Sequence, residues 1–151
     1  MQNIDKKTGL DQLDHVVNVP GQFSYESGIL ATEVSRDFAR GVLTVGKKSR
    51  NPGGKVHGGA LVTLADTVAG CCACSRGGNC VTANQTMEFL RPADGREIVC
   101  VATPKKMGRS LSVVQVTLTD DTGEAVATGT FTFFMMWDNR GQHAKNGPAS
   151  Y

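Results

Sequence analysis

The stretch His57-Gly58-Gly59-Ala60-Leu61-Val62-Thr63-Leu64-Ala65-Asp66-Thr67-Val68-Ala69-Gly70-Cys71-Cys72 changes the period of the chain. Leu61, Leu64, Ala65, Val68, Ala69 and Cys72 fall at i, i+3, i+4, i+7, i+8 and i+11, the stripe of an amphipathic helix. The spacing predicts a helix that begins near His57-Gly58-Gly59 and ends before Arg76-Gly77-Gly78, where paired glycines suit a C-cap. Its flanks read differently. Lys47 to Lys55 (KKSRNPGGK) has three Pro or Gly and four basic residues in nine, and is expected to be loop, neither helix nor strand. Phe23 to Val45 reads as two strands, with Ile29, Ala31 and Glu33 alternating with Leu30, Thr32 and Val34, and Val42, Leu43 and Val45 after the turn-like Arg40-Gly41. Beyond Asn79 the chain reads as β throughout: Cys80 to Leu90, Glu97 to Thr103, Leu111 to Leu118 and Glu124 to Met136. Arg91-Pro92, the turn-like Lys106-Met107-Gly108-Arg109 and the hairpin signal Asp120-Asp121-Thr122-Gly123 separate them.

A single apolar helix among six strands has to bury its stripe. The economical solution is an α+β arrangement in which a curved antiparallel six-stranded sheet wraps one long central helix. The 151 residues suit one domain, here residues 23–137, with a polar leader over 1–22 and a polar tail over 138–151. A formal net charge of +2 is too small to argue for nucleic acid or an anionic membrane as partner, and neither is expected. No run approaches the ~20 apolar residues of a bilayer span, and the start, MQNIDKKTGLDQLDH, has no apolar signal-peptide core, so a cytoplasmic protein is expected. Five cysteines are an odd number, and Cys71, Cys72 and Cys74 crowd into one apolar stretch without a second Cys/His cluster. They read as small buried thiols rather than a disulfide framework or a metal site, and no metal is expected.

The element order, together with Asn51-Pro52-Gly53-Gly54-Lys55-Val56-His57-Gly58-Gly59 and Leu64-Ala65-Asp66, resembles the PaaI-like branch of the hotdog thioesterases. The match continues through Val81-Thr82-Ala83-Asn84, Phe89-Leu90-Arg91-Pro92-Ala93 and Gly108-Arg109-Ser110, and covers roughly residues 25–136. The resemblance implies a hotdog fold and hydrolysis of a thioester, usually an acyl-CoA, in a homodimer or a dimer of dimers. Coenzyme A would be part of the substrate, and no cofactor is implied. The acyl group is left open. Some relatives are dehydratases, and others bind acyl-CoA only as regulators; the latter need no carboxylate at position 66.

The residue types fit that chemistry. A helix N-terminus offers free N–H groups and a positive dipole end, and glycine lets a ligand come close, so Gly58 and Gly59 are candidate donors to a thioester carbonyl. The bland alternative is a tight loop-to-helix turn. Asp66 interrupts the apolar LVTLADTVAG and must be paired, solvated in a cavity, or functional. It lies about 140° around the helix from Leu61, so exposure on the far face is the alternative. In the family this carboxylate is general base or nucleophile. Asn51 could orient water or the thioester, or simply form the turn ahead of Pro52. His57 is assigned chiefly to shaping the loop and pocket, because nine residues of helix hold it roughly 13 Å from Asp66. Arg91, Gly108, Arg109 and Ser110 are candidate phosphate contacts, preferred to the loop lysines. Thr82 and Asn84 match pocket positions but could be ordinary strand residues. Asp66 and Gly59 share one helix face about 10 Å apart, so one carboxylate cannot serve its own helix terminus. The spacing therefore asks for a two-fold dimer with shared sites.

Overall fold

The computed structural model describes residues 16–137. A short helix α1 (Phe23–Glu26) leads into β1 (Ile29–Ser35) and β2 (Phe38–Thr44), followed by the long helix α2 (Gly58–Ala73) and then β3 (Asn79–Phe89), β4 (Glu97–Met107), β5 (Leu111–Thr119) and β6 (Ala125–Met136). The strands form one sheet in the order β1-β2-β4-β5-β6-β3, with every neighbouring pair antiparallel. The α+β expectation of one long helix against six strands is what the chain adopts. Residues 1–15 of the expected leader (1–22) and the expected tail (138–151) lie outside the described residues.

The helical stripe accounts for the packing. Leu61, Leu64, Ala65, Val68, Ala69 and Cys72 are all buried, and they pack with Ile98, Cys100, Val114, Val116, Leu118, Phe131 and Phe133 of the sheet. By length and composition, Gly58–Arg76 also qualifies as a membrane-crossing helix, against the expectation that no segment would. Here the stripe is covered by the sheet of the same domain.

Several boundaries differ from those expected. Residues 23–26 form a helical turn rather than strand, closed by the Ser27 and Gly28 N–H groups bonding back to Phe23 and Tyr25. In β1 the register slips between Ala31 and Glu33, so Ile29, Ala31 and Val34 share the buried side and the simple alternation fails. Lys47–Ser49 is a 3₁₀ turn within the expected loop, and Arg50 bridges Val56. β4 runs on to Met107 because a second register shift, between Pro104 and Lys106, accommodates the proline inside the strand.

Helix and sheet approach closely at Gly41 in β2. A Cβ there would stand 2.5 Å from Val68 Cγ2 and 2.9 Å from the Leu30 carbonyl. Gly41→Ala is expected to cost about 1–3 kcal/mol in urea unfolding, the usual penalty of overpacking. Gly46→Ala, where a Cβ meets nothing within 4 Å, should change stability by less than about 0.5 kcal/mol.

Candidate active site

The loop before α2 is pinned from outside. Asp94 accepts from Arg50 Nη1 at 3.0 Å and Lys55 Nζ at 2.8 Å, and these two cations, with the Gly95 N–H, hold its carboxyl well below the usual carboxylate range. Arg50 and Lys55 are thus partly balanced within the chain. Asn51 closes the loop: its Oδ1 accepts from the Lys55 N–H at 3.1 Å, its N–H donates to Lys55 O, and its carbonyl accepts from Gly54. The turn-forming role is present, and among the described residues it leaves Nδ2 as the end of the amide without a protein acceptor.

His57 is the N-cap of α2. Its N–H donates to Ser49 O at 2.7 Å, and its Nδ1 accepts from the Gly59 N–H at 2.8 Å. The Gly59 N–H, expected to be free for a carbonyl, is therefore taken by the imidazole in this structure. The adjacent Gly58 N–H is the first of the helix and has no acceptor among the described residues.

Asp66 lies neither on a fully exposed face nor in the core. It is half-buried, and its Oδ1 accepts from Thr82 Oγ1 at 2.7 Å. Both line a cavity of about 300 Å³ with Thr67, Gly70, Cys74 and Cys80. The reason is topological: β3 is an edge strand that runs antiparallel along the side of α2 left uncovered by the rest of the sheet. The Phe89 ring faces Gly58 at the helix start (a Cβ on Gly58 would meet it at 3.6 Å), Thr82 meets Asp66, and Cys80 Sγ lies 3.8 Å from Gly70 O. Asn84 is exposed further along β3, opposite Thr132 and just past a register shift.

The expected phosphate contacts divide. Arg91 is engaged inside the chain, its Nη2 donating to Asp120 Oδ1 at 3.0 Å and Thr122 Oγ1 at 3.0 Å, with Nε 3.4 Å from Glu124 Oε2. It clamps the β5–β6 turn, and the Thr122 hydroxyl, helped by the Thr122 N–H and Arg91, keeps the Asp120 carboxyl low. Gly108 bonds Leu111 O through its N–H at 3.0 Å, and a Cβ there would collide with that carbonyl. This tight turn leaves the Arg109 and Ser110 side chains exposed; the Arg109 carbonyl takes the Trp137 indole N–H at 2.6 Å. Sequence reading missed Asp94, 39 residues from Lys55, and missed Cys74 and Cys80 as cavity lining. No local pattern marks either.

The clamp has a consequence. Arg91→Ala is expected to destabilise by roughly 1–2 kcal/mol in denaturant unfolding, because it strips the nearly buried Asp120 of a charged donor. Arg109→Ala should leave stability within about 0.5 kcal/mol of the parent.

The family model of the thioesterase superfamily matches residues 53–127. The Mycobacterium tuberculosis protein named "Putative esterase Rv1847" is 33% identical over 119 residues, 75% of this chain and 85% of the relative. Its solved structure superposes with a TM-score of 0.73 at 31% identity, covering 78% of this chain and 98% of that one. The Escherichia coli PaaI protein shares the fold, with a TM-score of 0.78 at 23% identity over 85% of this chain and 94% of that chain. Mouse acyl-coenzyme A thioesterase 13 is 35% identical over 95 residues, 60% of this chain and 67% of the relative. By its residues, its fold and these likenesses, the chain belongs to the thioesterase superfamily, with the hotdog fold that it shares with the PaaI protein, and is a thioester hydrolase.

Proposed function

We propose that the substrate is an acyl-CoA and that Asp66 is the catalytic carboxylate. The observation that carries this reading is the half-buried Asp66, fixed by Thr82 at 2.7 Å on the wall of a cavity beside the uncovered side of α2. Thr82 holds Oδ1, so Oδ2 is the oxygen that takes a proton from water or attacks the thioester carbon. The carbonyl oxygen is received at the N-terminus of an α2 helix. There the Gly58 N–H is available, and the Gly59 N–H becomes so once the substrate displaces His57 Nδ1. Asn51 Nδ2 orients the reacting groups. The C–S bond then breaks, releasing a carboxylate and free CoA, and no step draws on a metal or redox cofactor.

The reading includes a homodimer, or a dimer of dimers, with shared sites. β3 is an eleven-residue edge with most of its residues exposed, among them Val81 and Phe89 at 51 and 53% exposure, and Leu90 just beyond it is 56% exposed. An unpaired edge of that length and character favours pairing with a second copy. Antiparallel pairing of β3 with itself sets the Phe89 end of one chain against the Asn79 end of the other. Because Phe89 stands at Gly58 and Thr82 at Asp66, the partner's helix N-terminus is then brought towards this chain's carboxylate. Gly108, Arg109 and Ser110 are assigned to the phosphates of CoA and Asn84 to the pocket. Arg91 acts by holding the β5–β6 turn.

Asp66→Asn is expected to lower kcat in a thiol-release assay by about 10²–10⁴, the usual worth of a positioned acid–base group, while acyl-CoA binding persists. Unchanged turnover would reject the assignment. For Arg109→Ala, KM for acyl-CoA should rise with little loss of kcat, whereas a truncated acyl-pantetheine should be nearly indifferent.

The shared site is tested by mixing inactive variants. Asn51→Asp keeps the acceptor for the Lys55 N–H but removes the amide donor, so the loop is retained. Co-refolded with Asp66→Ala, about half the dimers are mixed, each with one intact site, and activity should recover to roughly a quarter of wild type. Mixed dimers no more active than the average of the two variants would place both groups in one chain.

A further inference from the structure

Two of the five cysteines stand apart from the rest. Cys71, Cys72 and Cys100 are buried, and burial pushes the Cys71 and Cys72 thiols up to about 12, where they are unreactive. Cys74 and Cys80 are only half-buried, line the cavity that holds Asp66, and lie Sγ to Sγ at 3.2 Å. Cys74 opens the 3₁₀ turn after α2 and Cys80 is the second residue of β3. The connection between them contains Gly77 and Gly78, both at positive φ (100° and 77°). A disulfide requires about 2.05 Å between sulfurs, so the bond forms after a closure of roughly 1 Å, across a short glycine-containing turn. The hydrogen bond with Cys80 holds the Cys74 thiol below its ordinary value while Cys80 itself is pushed up, and with the 3.2 Å contact this favours Cys74 as the attacking sulfur.

We infer that Cys74 and Cys80 are a hydroperoxide-sensitive dithiol pair whose closure to an intramolecular disulfide remodels the cavity wall and alters access to Asp66. The Cys74 thiolate attacks one peroxide oxygen, the O–O bond breaks, and an alcohol (or water) leaves with the thiol proton, giving a sulfenic acid. The Cys80 sulfur then attacks the Cys74 sulfur, the S–O bond breaks, and water leaves with the second proton. Two thiols are oxidised by two electrons and one peroxide bond is reduced. The link to Asp66 is the strand: Cys80 and Thr82 are two residues apart in β3 and point to the same side, so drawing Cys80 towards Cys74 shifts the hydroxyl that holds the carboxylate.

The test uses the full chain, reduced and then treated with hydrogen peroxide, capped with N-ethylmaleimide and digested with trypsin. Cleavage after Arg76 separates the two cysteines, one in peptide 56–76 and the other in 77–96. The expected result is these two peptides joined through Cys74 and Cys80, lighter by two hydrogens, and released by dithiothreitol. Asp66 is the single carboxylate of peptide 56–76, so its labelling rate with a carbodiimide and an amine reports access without any assay of turnover. That rate should change several-fold on oxidation, return on reduction, and stay constant under peroxide in Cys74→Ser and Cys80→Ser, each compared with its own untreated protein. The inference is overturned by the absence of the crosslink, by linkage through Cys71 or Cys72, or by a crosslink that leaves the Asp66 labelling rate unchanged.

Discussion

The burial of one helical stripe organises this molecule. Leu61, Leu64, Val68 and Cys72 have no apolar cover of their own, and a helix of this composition is stable in water only when something packs on it. The sheet supplies the cover by curling, and the curl requires close contact at Gly41, where no side chain fits between Val68 and the backbone of β1. Fully burying each large apolar side chain contributes roughly 1.5–3 kcal/mol, so these contacts outweigh any individual ion pair on the surface. The surface pairs do a different job. Arg50, Lys55 and Asp94 fix the loop that delivers Asn51 and His57 to the start of the helix.

A sheet that wraps a helix leaves one side of it bare, and that side is where polar and thiol groups of helix and strand gather. β3 passes along it as an edge strand, so polar groups of the helix and of the strand meet without being sealed into the core. Asp66 and Thr82 meet there, as do Cys74 and Cys80. The setting suits a positioned carboxylate, since one hydroxyl bond orients it at the wall of the cavity. The same opening makes two of the five thiols chemically accessible and leaves the other three inert.

The two glycines at the helix start show how capping and function compete for the same atoms. An N-terminus must satisfy its first N–H groups, and His57 satisfies that of Gly59. Any acceptor reaching for that donor must first replace the imidazole, so the cap and a ligand compete for one N–H.

The sequence by itself determined the helix, its stripe and the presence of six strands, because hydrophobic period and turn residues are local properties. It also singled out Asp66 as a carboxylate inside an apolar run, and the ordered motif around it marked the family. Tertiary structure decided what depends on distant partners. Whether Arg91 faces a ligand or clamps Asp120 turns on residues 29 positions away, and whether Gly59 has a free N–H turns on a side-chain rotamer. The register slips in β1 and β4 arise from pairing with neighbouring strands, so alternation alone placed Val34 on the wrong side. Thr82 beside Asp66 and Cys80 beside Cys74 follow from β3 crossing to the sheet edge to lie along the helix, a path fixed by the packing of the whole sheet and not written in any single stretch of residues.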